Sequence, residues 1–128
     1  MNKEDLIKDY ARCLQDTNYA IETYLETYDN TQSKYVPFIL FPEQKMMLRN
    51  FEVYNDNITK KYRQAGVSTA TAAWVSKKLQ FASKNKPEKI LIIANKLDTA
   101  SEFANKVRGF INQWPDWINV GFSKEKDS

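Results

Sequence analysis

Residues 89–94 read Lys-Ile-Leu-Ile-Ile-Ala, an apolar run behind one lysine. The run is bounded on its N-terminal side by the turn signal Lys86-Pro87-Glu88. An unbroken apolar run between turn signals is typical of a central strand that is buried on both faces. We therefore predict a buried strand over 89–94, and this strand decides the fold class.

The elements around this run predict an α/β fold. Residues 58–62 are a short strand candidate, the tight loop 64–69 follows it, and apolar periodicity predicts a helix over 68–84. After the run, residues 99–102 have the capping-box pattern and open a helix that Pro115 ends. The order strand, loop, helix, strand, helix is a βαβα unit, which predicts parallel strands.

The N-terminal part of the chain is predicted to be helical. Residues 3–15 have the periodicity of an amphipathic helix. Residues 18–28 keep the helical period, but their last five residues, rich in Tyr and Thr, could equally form a short strand. We divide the chain into an N-terminal helical segment, 1–35, and a second region, 36–128.

The composition of the 128-residue chain limits the kinds of site it can contain. Histidine is absent and Cys13 is the single cysteine, which excludes histidine-based triads and metal sites, internal disulfides and CxxC motifs. A hydrophobic content of 42% supports a packed core. No apolar window of about 18 residues is present, so no transmembrane helix is predicted. We expect a reducing intracellular environment.

Positive charge is concentrated in one part of the chain. Residues 1–35 contain four basic and seven acidic side chains, a net charge of −3, whereas residues 36–128 contain fifteen and nine, a net charge of +6. Between residues 60 and 89, eight basic residues accompany one acid, Glu88. Two interpretations remain open: solvated lysines beside a helix, or contact with an anionic partner such as nucleotide phosphates or DNA.

The loop between the first predicted strand and helix contains a candidate phosphate-binding motif. Residues 61–69 read Lys-Tyr-Arg-Gln-Ala-Gly-Val-Ser-Thr. In the Walker A pattern, G-x-x-x-x-G-K-[ST], backbone N–H groups and a lysine hold phosphates. Gly66 and Ser68 match this pattern, whereas Lys61 replaces its first glycine and Val67 its lysine. A helix N-terminus favours an anion here, but an ordinary strand-to-helix turn also explains these residues.

Three segments in order resemble one protein family. They are residues 36–44 (Val-Pro-Phe-Ile-Leu-Phe-Pro-Glu-Gln), 62–69 (Tyr-Arg-Gln-Ala-Gly-Val-Ser-Thr) and 90–96 (Ile-Leu-Ile-Ile-Ala-Asn-Lys). Together they resemble the N-terminal ATPase region of the large terminase subunit, the DNA-packaging motor protein of tailed bacteriophages, over about residues 18–118. The resemblance implies a partial P-loop NTPase core preceded by N-terminal helices, with ATP and Mg²⁺ as cofactors.

The resemblance also implies roles for individual residues. Gln44 corresponds to a glutamine that recognises adenine, Arg63 to a basic residue that contacts phosphate, and Gly66 to a close backbone approach. Ser68 would hold Mg²⁺ through its hydroxyl, with Thr69 in support. Surface positions for Gln44 and Arg63, and helix capping by the two hydroxyls, are the alternatives. The implied cofactor-binding set is Gln44, Arg63, Gln64, Gly66, Ser68 and Thr69.

One part of the ATPase machinery has no counterpart in this sequence. Such ATPases need a second apolar strand ending in Asp-Glu to hold Mg²⁺ and activate water, and no run of this kind follows residue 96. The nuclease domain of the family has no counterpart either. We therefore assign no catalytic residue. We expect 36–128 to be the first part of an ATPase domain, inactive alone, with further strands beyond Ser128.

By resemblance, the full-length protein couples ATP hydrolysis to the packaging of double-stranded viral DNA into the procapsid. Its implied partners are viral DNA, the portal protein, the small terminase subunit and further copies of itself in a ring. Its implied location is the host cell cytoplasm, with no membrane partner. A helicase-like ATPase fragment and a small basic α/β nucleic-acid-binding adaptor without turnover remain as alternatives.

Overall fold

A computed structural model describes residues 2–29, 31–57, 66–81, 89–94, 96–115 and 117–118. Helices dominate this part of the chain, and one two-stranded antiparallel sheet accompanies them. In chain order the elements are α1 (Lys3–Gln15), α2 (Thr17–Tyr24), β1 (Glu26–Asp29), β2 (Lys34–Pro37), α3 (Pro42–Val53), α4 (Val67–Gln80) and α5 (Leu97–Gln113).

The first two helices begin at side-chain caps that the sequence supplies. The Asn2 side chain accepts a hydrogen bond from the Asp5 amide at 2.9 Å, and the Asp16 carboxylate accepts one from the Tyr19 amide at 3.0 Å. Such caps satisfy amide groups that have no partner inside the helix. The predicted helix over 3–15 is confirmed.

Residues 18–28, for which both a helix and a short strand were possible, contain one of each. The helix continues to Tyr24, and the strand β1 follows it and pairs with β2 in the register Glu26↔Pro37 to Asp29↔Lys34. Leu25 extends this ladder, because its carbonyl accepts the amide of Phe38 at 3.0 Å. The N-terminal segment 1–35 is therefore helical only as far as Tyr24.

The prediction of an α/β fold with parallel βαβα strands is wrong for the described residues. Their sheet is the antiparallel β1–β2 hairpin. Residues 89–94 form no strand there, and Leu91 and Ile93 are 83% and 82% exposed. A buried strand needs neighbours along both edges, and β1 and β2 pair with each other instead. The strand candidate 58–62 lies outside the described residues.

The predicted helices are present, with shifted ends. The helix expected over 68–84 is described from Val67 to Gln80. The last helix begins at Leu97, two residues before the predicted capping box, and its N-cap Lys96 makes no side-chain capping bond. Thr99 is therefore inside the first turn, and the capping-box prediction is wrong.

Helix α4 is the centre of the core. It packs against α2, α3 and α5, and its Ala70 and Ala73 are fully buried. Small side chains let neighbouring helices approach closely. At the α5 contact, the buried Trp114 donates its indole N–H to the Ser76 hydroxyl at 3.1 Å, and that hydroxyl donates to the Ala73 carbonyl at 2.7 Å.

Within the described part of the chain, no helix combines the length and the apolar character needed to cross a membrane.

Candidate functional site

Two of the predicted site residues, Gln44 and Gly66, are in contact. Gln44 lies in the first turn of α3 and is 5% exposed. Its Oε1 accepts the Phe41 amide at 2.8 Å, and its Nε2 donates to the Gly66 carbonyl at 3.1 Å. The Gln44 amide therefore links the start of α3 to the start of α4, although 22 positions separate the two residues.

The segment before Gln44 is itself held in place. Glu22 of α2 accepts the backbone N–H of Leu40 through its carboxylate at 2.9 Å. Pro42 then opens α3, since its fixed φ and missing N–H suit the first helical position. These local features fix the position from which the Gln44 side chain reaches the loop.

Gly66 has a conformation and a contact that exclude a side chain. Its φ is 70°, in the left-handed region that favours glycine. A Cβ built at this position would lie 2.5 Å from the Nε2 atom of Gln44. The Gly66 carbonyl also accepts the Ala70 amide at 3.0 Å, so it receives two hydrogen bonds. The group that approaches Gly66 closely here is the Gln44 side chain, and the predicted close approach to phosphate stays a prediction.

Ser68 and Thr69 occupy the first turn of α4 without capping it. Gly66 is the N-cap, and no side chain caps the helix. Neither hydroxyl forms a hydrogen bond with another described residue. The helix-capping alternative for these two residues is therefore not seen. Both hydroxyls lie where the positive end of the helix dipole favours an anion.

Val67, at the usual lysine position, is the first residue of α4 and is half-buried against the hydrophobic core. Its side chain therefore contributes to packing. Arg63 and Gln64, together with the neighbouring Lys60 and Lys61, lie outside the described residues. Their predicted contacts with phosphate stay predictions.

The described residues fit a phosphate ligand better than an independently held metal ion. The backbone at Gly66 and the hydroxyls of Ser68 and Thr69 supply a polar, positively polarised helix start. No group of three or more Cys, Asp or Glu side chains in the described ranges is placed to hold a metal. Magnesium prefers octahedral oxygen ligands and often binds through substrate phosphates. Any Mg²⁺ at Ser68 would therefore need further oxygen ligands from a bound phosphate.

Thr69 also lines a groove of about 640 Å³ between the hairpin and α5. The side-chain amide of Gln113 in α5 forms two hydrogen bonds to the hairpin. Its Oε1 accepts the Glu26 amide at 2.6 Å, and its Nε2 donates to the Glu26 carbonyl at 3.2 Å. The sequence gives no signal for this link, because it joins residues 87 positions apart.

Lys77 is not on a solvated helix face and is not free to contact DNA. It is 8% exposed, and its Nζ donates to the Thr17 hydroxyl at 3.1 Å. The Thr17 hydroxyl in turn donates to the Glu52 carboxylate. Burial lowers the pKa of Lys77, and the negative charge of Glu52 opposes that effect. The neighbouring Lys78 is exposed.

The tryptophans contribute to the core: Trp114 is buried in it, and Trp74 and Trp117 are half-buried against it. Trp114 is 1% exposed, Trp74 packs edge-on against Phe51, and Trp117 packs edge-on against Tyr24. Base stacking by these rings would require them to leave these contacts.

Comparison with known proteins adds no relative. No protein-family model matches the chain, and no curated protein matches it. The terminase resemblance therefore rests on the three sequence segments. The candidate site consists of Gln44 hydrogen-bonded to Gly66, with the hydroxyls of Ser68 and Thr69, which bond to no other described residue, in the adjoining first turn of α4.

Proposed function

We propose that the chain is part of the ATPase motor of a phage large terminase subunit. In the full-length protein, ATP hydrolysis would drive packaging of double-stranded viral DNA into the procapsid. The observation that best supports the proposal is the contact between Gln44 and Gly66. These residues are 22 positions apart in the sequence, and the resemblance assigns both to one nucleotide site.

The roles follow from the chemistry of each group. Backbone N–H groups at the start of α4 would face the phosphates, and the Ser68 and Thr69 hydroxyls would bind phosphate or its magnesium ion. The Gln44 amide has four hydrogen-bonding positions and uses two of them within the chain. One N–H and one lone pair remain, which is the pair that an adenine edge requires.

The absence of lysine at position 67 moves the positive charge to neighbouring residues. Arg63 is the best candidate, because its planar fork can form two bonds to phosphate oxygens. The buried Lys77 is committed to Thr17 and takes no part. The portal, the small subunit, DNA and a ring of copies are partners that we propose for the full-length protein. Its nuclease activity is likewise proposed from resemblance alone.

The proposal is tested by the affinity of the chain for magnesium–ATP. Arg63→Ala should weaken binding at least about tenfold, since removing one partner of a buried or bidentate charge pair costs on the order of 2–5 kcal/mol. Val67→Lys should be tolerated, because the long stem can cover the core contact of Val67 while the ammonium reaches toward solvent and phosphate. Val67→Lys should also partly rescue Arg63→Ala.

The matched control is Arg49→Ala on the exposed side of α3, which removes the same charge away from the loop. It should leave the affinity unchanged. Normal magnesium–ATP affinity in Arg63→Ala, or equal losses in Arg63→Ala and Arg49→Ala, would contradict a role for residues 61–69 in binding phosphate.

A further inference from the structure

The carboxylate of Glu22 holds the segment that carries Gln44. Glu22 lies in α2, and its Oε2 accepts the Leu40 amide at 2.9 Å. The same oxygen lies 3.9 Å from the Nζ atom of Lys45. Leu40 and Lys45 lie on either side of Gln44 in the sequence. One side chain of α2 therefore contacts both flanks of the residue that is predicted to bind adenine.

Glu22 projects from a helix that is fixed in the core. The two residues before it, Ala20 and Ile21, are fully buried, and α2 packs against α4. The Glu22 side chain is 25% exposed, so it is partly shielded from water. A carboxylate that accepts a backbone N–H forms a charge-assisted hydrogen bond, which is stronger than a neutral one. Glu22 therefore holds the Leu40 amide firmly.

The Leu40 contact reaches Gln44 through a single residue. The next amide, that of Phe41, donates to Oε1 of Gln44 at 2.8 Å. An N–H group can pair only with the oxygen of a side-chain amide, and a carbonyl only with its nitrogen. The Phe41 amide and the Gly66 carbonyl therefore fix which end of the Gln44 amide faces which neighbour.

Loss of the Glu22 carboxylate would displace residues 40–41. Leu40 is 3% exposed, and its amide forms no other hydrogen bond with a described residue. A buried N–H without a partner costs free energy comparable to a lost hydrogen bond. The segment would therefore move until this amide meets water or another acceptor, and the Oε1 end of the Gln44 amide would lose its fixed partner.

We propose that Glu22 is a positioning residue of the candidate nucleotide site, a role that rests on the proposed function. Through Leu40 and Phe41, Glu22 sets the orientation of the Gln44 amide and with it the preference of the site for an adenine base. Its carboxylate is occupied by Leu40 and Lys45, so Glu22 itself does not contact the nucleotide. Loss of Glu22 should therefore weaken recognition of the base more than recognition of the phosphates.

The test is the ratio of the affinity for magnesium–ATP to the affinity for magnesium–triphosphate, measured by titration calorimetry with the full chain. Glu22→Ala should lower this ratio at least about fivefold, because a displaced Gln44 loses hydrogen bonds to the base. Glu22→Gln should keep most of the wild-type ratio, because its side-chain oxygen can still accept the Leu40 amide. Glu22→Asp should lower the ratio as alanine does, because its side chain is one methylene too short to reach that amide.

Two control variants separate positioning from a general effect of charge. Glu43→Ala removes an exposed carboxylate beside Gln44 that bonds to no other described residue, and Lys45→Met removes the cation but leaves the Leu40 hydrogen bond. Both should keep the wild-type ratio, since an ion pair between partly exposed side chains contributes little. Urea unfolding shows whether each variant is folded. If Glu22→Ala does not fold, Glu22→Asp and Glu22→Gln decide the question.

The outcomes distinguish the positioning role from the proposed function. A wild-type chain that binds neither ligand overturns both, and one that binds the two ligands equally overturns the positioning role and the adenine role of Gln44. A wild-type ratio that persists in Glu22→Ala and Glu22→Asp overturns the positioning role alone. So does an equal loss of both affinities in folded Glu22→Ala, which would indicate a purely structural role, and so does an equally reduced ratio in Glu43→Ala.

Discussion

At the residue scale, Gly66 is the position where both the left-handed backbone conformation and the close contact with Gln44 require a glycine. Gly66→Ala should destabilise the chain, because a non-glycine residue in the left-handed region costs roughly 1–2 kcal/mol. The new methyl group must also displace Nε2 of Gln44, which lies 2.5 Å from the built Cβ. Urea unfolding measures the loss in free energy of unfolding.

Gly109→Ala is the matched control for this change. Gly109 lies within α5 with open space around its Cβ position. Alanine should therefore stabilise the chain by up to about 1 kcal/mol through helix propensity. Equal effects of the two substitutions would show that the Gln44–Gly66 contact does not constrain the loop.

The residues around Gly66 show how far sequence reasoning reaches. The motif around Gly66 predicted a close backbone approach to phosphate, which stays a prediction, and the structure places the Gln44 side chain against Gly66. The motif did not predict that the neighbour is Gln44, because a contact across 22 positions depends on how α3 and α4 pack. The packing of Val67 against the core could not be predicted either, since the residue type alone does not show whether a side chain packs inward.

At the element scale, hydrophobic periodicity predicted the helices correctly and the sheet incorrectly. The starts of α1 and α3 follow from a cap and a proline, which are local signals. The run 89–94 has the composition of a buried strand, but burial depends on partners that composition does not specify. Among the described residues no strand partner is present, and Leu91 and Ile93 are exposed.

The buried Lys77 links α4 to the start of α2 through its hydrogen bond to the Thr17 hydroxyl. Thr17 is the residue at which this link can be removed. Thr17→Val should destabilise the chain by about 1–3 kcal/mol, because it leaves the buried Lys77 ammonium with only the long bond to the Leu14 carbonyl, at 3.5 Å. Lys77→Met should cost much less, since a buried charge can be replaced by an apolar side chain of similar volume at little cost.

Thermal and urea unfolding of both variants measure the difference. The Thr17→Val loss should shrink when Lys77→Met is present, because the charge that needs the hydroxyl is gone. Additive effects of the two substitutions would show that the Lys77–Thr17 hydrogen bond contributes nothing to the packing of α4 on α2.

At the scale of the whole molecule, the central claim is that the start of α4 and Gln44 form one nucleotide site. The most direct measurement follows the backbone and side-chain amide resonances of the isotopically labelled chain during titration with magnesium–ATP. We predict shifts at residues 66–69 and at the side-chain amide of Gln44. Magnesium–triphosphate without the nucleoside should shift residues 66–69 and should shift the Gln44 side-chain amide less than magnesium–ATP does, because only the bond from Gly66 transmits the change. Saturating magnesium–ATP that shifts none of these resonances, or only resonances elsewhere in the chain, would contradict the claim.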